Sequence, residues 1–73
     1  MSDGKNQTVK KVLRLSIEKE KPVIIMYMSK KDITKRRIKV LSLDENRVYA
    51  YCFLRRKNRY FIIDSILSVQ FSQ

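Results

Sequence analysis

Seventy-three residues carry 17 lysines and arginines against 7 carboxylates, a formal charge of +10, with one cysteine, one glycine, one proline and no histidine. Those counts exclude an internal disulfide, a Cys/His zinc set, histidine acid–base chemistry and a glycine-rich phosphate loop, so neither an enzyme nor a cofactor or metal is expected. They leave room for one small domain with a thin core, which hides only about 60% of the surface its unfolded chain exposes.

The polar residues 1–6, Met-Ser-Asp-Gly-Lys-Asn, read as a disordered tail ahead of a single domain over residues 7–73. Thr8 stands where it can cap a helix. Val9, Val12, Leu13 and Ile17 then share one helical face, with Leu15 off the stripe and Lys10, Lys11, Arg14 and Glu18 on the other side. Pro22 and the disfavoured position before it, Lys21, end that helix. Readers of DNA that use helices need a second, recognition helix, so this one is expected to cover one end of a β structure.

Val23 to Met28 is a short apolar run rich in β-branched residues, a buried first strand, and Ser29-Lys30-Lys31-Asp32 is a turn. The second strand spans about Ile33 to Leu43. Alternation sets Arg36, Ile38 and Val40 on one side and Arg37, Lys39 and Leu41 on the other. Asp44-Glu45-Asn46 turns the chain. The next stretch, Val48 to Ile66, reads as a hairpin with a basic tip. A turn at Lys57-Asn58 would set Arg56 opposite Arg59, Arg55 opposite Tyr60, Phe53 opposite Ile62 and Tyr51 opposite Asp64. One face then holds Val48, Ala50, Cys52, Leu54, Phe61 and Ile63; the other holds Tyr49, Tyr51, Phe53, Arg55, Tyr60, Ile62 and Asp64. Ser65 gives a short break, and Ile66 to Phe71 supplies a last strand. The fold class that follows is mainly β, an N-terminal helix followed by a five-stranded antiparallel small barrel, since closure would remove exposed edges.

The spacing Ala50-Tyr51-Cys52, Leu54-Arg55, Arg59, Phe61, Ile63-Asp64 and Ile66 resembles the core motif of the WYL domain family. Upstream, Tyr27, Thr34, Arg36-Arg37-Ile38 and Leu41-x-Leu43 fall where that family carries its earlier strand motifs, and the similarity runs from Val9 to Phe71. The resemblance implies an Sm-like barrel behind a helix. It also implies a ligand-sensing or nucleic-acid-binding module, commonly part of bacterial transcription regulators, with Tyr51, Arg55 and Arg59 at anion-binding positions. The sequence departs from the family at its eponymous triplet, which falls on Asn46-Arg47-Val48, and at Ser65, where a further arginine is usual.

Read from the residues themselves, the candidate ligand-binding set is Arg36 and Arg37 on the second strand with Arg55, Arg56, Lys57 and Arg59 at the hairpin, and Tyr51 beside them. Arginine forks suit phosphate, like charges this close invite an anion, and interleaved aromatics suit stacked bases. Cys52 on an inward strand face reads as a small core residue. The expected function is non-enzymatic recognition of an anion, single-stranded nucleic acid or a nucleotide-like ligand, in bacterial regulation. A protein-interaction or self-association module that uses an apolar strand face is the alternative, and the aromatics suit that too. Expected partners are thus the anion, a second copy of the chain in a homodimer, and a protein that supplies a DNA-reading domain. No apolar run approaches the roughly 20 residues of a membrane span and no signal-peptide core follows the start, so a cytoplasmic location without membrane contact is expected.

Overall fold

A computed structural model describes residues 3–72. Helix α1 (Asp3–Lys19) begins ahead of Thr8, which therefore lies inside the helix and not at its cap. Part of the tail expected over residues 1–6, Met1 and Ser2, falls outside the described residues. The other end is closed by a left-handed residue: Glu20 has φ 53°, its amide donates to the Ile17 carbonyl (3.2 Å), and the Lys21 amide donates to Ser16 (3.1 Å). That is a Schellman ending, and Pro22 follows because it cannot continue the helix. Val9 and Leu13 are buried on the inner face, with Val12 and Ile17 packed beside them. Burying a leucine such as Leu13 stabilises the fold by about 1.5–3 kcal/mol. Ser16 is buried with them, and its hydroxyl donates to the Leu13 carbonyl at 2.7 Å.

Five antiparallel strands follow: β1 (Val23–Ser29), β2 (Asp32–Leu43), β3 (Arg47–Cys52), β4 (Lys57–Ile62) and β5 (Ile66–Phe71), with a single 3₁₀ turn, Ile63–Ser65, between the last two. Their order in the sheet is β4-β3-β2-β1-β5. Strands β4 and β5 are thus its two edges, and the closed barrel expected from the sequence is not formed. The 3₁₀ turn carries the chain from one edge to the other, and at the β4 edge the Ile62 amide meets the Tyr27 hydroxyl of β1 in place of a strand partner.

The sheet nevertheless curls around one core. Val23 and Ile25 of β1, Ile38 and Val40 of β2, Val48, Ala50 and Cys52 of β3, and Phe61 of β4 all face inward into that core, which the helix covers by packing on β2, β5 and the 3₁₀ turn. Tyr27 of β1 crosses that interior to reach the far edge. Its ring meets Phe61 edge-on, with centroids 5.2 Å apart and planes at 84°, and its hydroxyl accepts the Ile62 amide at 3.1 Å.

The hairpin differs from its sequence reading in register. Cys52 pairs with Lys57, Tyr51 with Asn58, Ala50 with Arg59, Tyr49 with Tyr60 and Val48 with Phe61. The turn is therefore Phe53-Leu54-Arg55-Arg56, not Lys57-Asn58, and the expected Tyr51–Asp64 and Arg55–Tyr60 pairs do not form. Arg56 supplies the left-handed residue that such a turn requires, with φ 57° and its amide on the Cys52 carbonyl at 2.7 Å. The displacement along β4 is an even number of positions, so the pleat preserves the expected split of the strands into two faces. Leu54 and Arg55 are the exceptions. Both leave the strand for the turn, and Leu54 is 69% exposed.

Candidate functional site

The hairpin tip gathers its donors around one atom. Leu54 and Arg55 point their amides at Cys52 Sγ, and Arg36 reaches across from β2 to place Nη1 3.8 Å from the same sulfur. Arg36 is itself steadied by Thr34, whose hydroxyl accepts from Nε at 3.3 Å and lies 3.4 Å from the Tyr27 carbonyl. Burial alone would push the Cys52 thiol up. The Arg55 amide, the Arg36 guanidinium and the Leu54 amide outweigh it and hold the thiol below its ordinary value.

The residues singled out from sequence fall into three places. Arg55, Arg56 and Lys57 occupy the turn and the first position of β4, all exposed. Arg36 and Arg59 lie on the core side of the sheet: Arg36 beside Cys52, and Arg59 opposite Ala50 with its guanidinium carbon 5.9 Å from the Phe61 ring centre. Arg37 and Tyr51 face the other way. Arg37 lies 4.9 Å from the Phe53 ring centre, and Phe53 meets Tyr51 edge-on at 5.3 Å. The structure therefore brings Arg36 to the hairpin tip and carries Arg37 to the opposite surface, which is what adjacent positions on a strand must do.

Two more cations belong to that outer surface: Lys39, which the sequence reading already counted among the converging positive groups, and Arg47, which it did not. Lys39 pairs with Tyr51 across β2 and β3, and Arg47 stacks over Tyr60 at 4.3 Å. Alternation already set Lys39 with Arg37, so its signal was present; Arg47 needed the correct hairpin register. Asp44, at 3.8 Å from Arg47 Nε, makes an exposed ion pair of the kind that is worth little. An open depression along the helix is lined by Gln7, Thr8, Lys10, Lys11 and Arg14, and Lys10 and Arg14 also line an adjoining groove with Leu43, Asp44 and Glu45. Among the described residues no three His, Cys, Asp or Glu side chains are grouped to hold a metal ion, and no helix is long and apolar enough to cross a membrane.

No family model matches the chain, and no curated protein matches it. Among solved structures it is similar to proteasome accessory factor B/C of Arthrobacter aurescens, with a TM-score of 0.82 and 22% identity. The likeness covers 92% of this chain and 11% of that one, so the chain corresponds to a small part of the larger protein. At this identity the similarity establishes the fold, a helix with five antiparallel strands.

Proposed function

We propose that the chain is a divergent WYL-like module that binds an anionic ligand, single-stranded nucleic acid or a nucleotide, at the β3–β4 hairpin and performs no catalysis. The observation that carries this reading is the crowding of exposed Arg55, Arg56 and Lys57 in the β3–β4 turn, with Arg36 of β2 brought to its base beside Cys52. Donors and positive charge from two segments distant in the chain meet there, as recognition of phosphate requires. In this reading Arg55, Arg56 and Lys57 engage the ligand from the tip, Arg59 and Arg36 from the core side, and Arg37 and Tyr51 from the outer side. The likeness to part of a protein named as an accessory factor supports a regulatory place for the module, joined to or recruited by a partner that reads DNA.

Binding of a labelled single-stranded oligonucleotide and of a nucleoside triphosphate at low salt tests the proposal, with the Arg55→Ala, Arg59→Ala double variant as comparison. Binding that the double variant loses is expected. Absence of binding to any of these probes by the unaltered chain removes the reading.

A second reading, self-association, is favoured by the two open sheet edges together with exposed Leu41 and Ile62. Sedimentation mass decides it: a dimer that survives Arg55→Ala, Arg59→Ala and dissolves on Ile62→Lys would support it.

A further inference from the structure

The solvent-facing side of β2, β3 and β4 carries a row of planar groups. In register along β3 these are Arg47 over Tyr60, Tyr60 against Tyr49, then Tyr51 against Phe53, and Phe53 under Arg37. The row is about 20 Å long at roughly 3.3 Å per strand residue. Its ring pairs are tilted at 46° and crossed at 83°, not stacked flat on one another, and Arg47 and Arg37 cover one face each of Tyr60 and Phe53. Tyr60 is 53% exposed and Phe53 39%. Lys39 stands beside Tyr51; among the described residues the outward strand positions from Ile33 to Ile62 hold no carboxylate, and the turn residue Asp44 makes an exposed pair with Arg47 at 3.8 Å.

We propose that this face is a platform for single-stranded nucleic acid laid along β3, with Tyr60, Tyr49, Tyr51 and Phe53 stacking on bases and Arg47, Lys39 and Arg37 meeting phosphates. The proposal rests on the anionic-ligand reading above and extends it from the hairpin tip to a second surface, built largely from residues outside the tip. The occupant follows from the mixture of groups. Planar faces want planar partners and the three cations want a regularly charged chain; a single strand of nucleic acid offers both at once. A second copy of this chain docked face to face would set Arg37, Lys39 and Arg47 against their own counterparts, which like-charge repulsion opposes. An apolar protein would have to strip water from the same three cations without replacing it. The two guanidinium groups are already held over rings, so little side-chain freedom is lost when they turn to phosphate.

The chain has four tyrosines and no tryptophan, and three of them, Tyr49, Tyr51 and Tyr60, lie on this face, so tyrosine emission reports mainly on it. Oligo(dT) and oligo(rU) of about a dozen nucleotides, within the roughly 4–16 that small β platforms cover, are titrated into the full chain and into Tyr60→Leu, Tyr60→Phe and Lys39→Gln. The proposal expects quenching of tyrosine emission by at least one of the two strands, about tenfold weaker binding with Tyr60→Leu and near-unchanged binding with Tyr60→Phe. Lys39→Gln, an exposed change that leaves packing alone, is expected to reduce the slope of log affinity against log salt by about 0.7. Oligonucleotide binding that matches wild type in Tyr60→Leu and Lys39→Gln, but vanishes with Arg55→Ala, Arg59→Ala, overturns the platform and leaves the hairpin site standing. If Tyr60→Leu alters the sedimentation mass while oligonucleotide affinity stays constant, the face is a protein contact and the proposal is wrong. Failure of all nucleic acids and nucleotides to bind overturns both.

Discussion

Replacing Phe61 with alanine is expected to unfold most of the protein at 25 °C. Phe61 is 2% exposed, faces Val48 across the hairpin and receives Tyr27 edge-on from three strands away in the sheet order. It therefore joins one edge of the curled sheet to its interior. Truncating a buried phenylalanine costs about 3–5 kcal/mol. A domain of this size seldom holds more than about 3–5 kcal/mol in total, so the loss is comparable with the whole. Tyr27→Phe is the graded companion. It keeps the ring and removes only the acceptor for the Ile62 amide, which can turn to water, so about 0.5–1 kcal/mol is expected, a few degrees in Tm. Urea and thermal unfolding followed by circular dichroism read both variants. A Phe61→Ala chain that keeps its strand signal and loses under about 1 kcal/mol would refute the claim that this ring holds the open sheet in its curl.

Three further changes follow from single contacts. Cys52 is an acid whose folded value is depressed, so its contribution to stability is present above the unfolded thiol value and is lost as pH falls through the folded one; unfolding free energy should therefore climb as pH rises toward the ordinary thiol value of 9.0, and Cys52→Ala should flatten that climb in pH-dependent urea titrations. Ser16→Ala should change stability by under about 1 kcal/mol, toward greater stability, because the lost hydroxyl donates only to a carbonyl of its own helix and alanine is the better helix former; calorimetry showing a larger loss would contradict this. Arg56→Gly should raise Tm while weakening anion binding, since glycine takes the left-handed conformation that costs an L-residue about 1–2 kcal/mol, yet it removes a tip charge. A variant that gains neither stability nor loses affinity would count against both roles.

Much of the strand plan is legible in the residues. Alternation alone separates Val48, Ala50 and Cys52 from Tyr49 and Tyr51, and the pleat keeps that separation when the register moves. The turn was not legible, because Phe53 and Leu54 look like strand residues and no glycine marks the left-handed position; arginine occupies it instead. Closure was illegible for a related reason. Five alternating runs are compatible with a barrel or with an open curled sheet, and the break at Ser65, which the sequence does show, fits either one. The early helix start reflects residues before Thr8 that lack an apolar stripe and carry little periodic signal. Arg36 and Arg37 lie on opposite faces, as alternation already set them, for neighbours on a strand point opposite ways. That same rule, applied with the observed register, is what assembles Arg37, Lys39, Tyr51 and Arg47 on the outer surface.

The central claim is that cations from separate segments act together on an anion, and the salt dependence of single-strand binding measures this most directly. Four phosphate contacts give a slope of log affinity against log salt of about −3, and removing Arg55 and Arg59 together should bring it to about −1.5. A slope near zero in the unaltered chain, or one that the double variant leaves unchanged, would contradict the account.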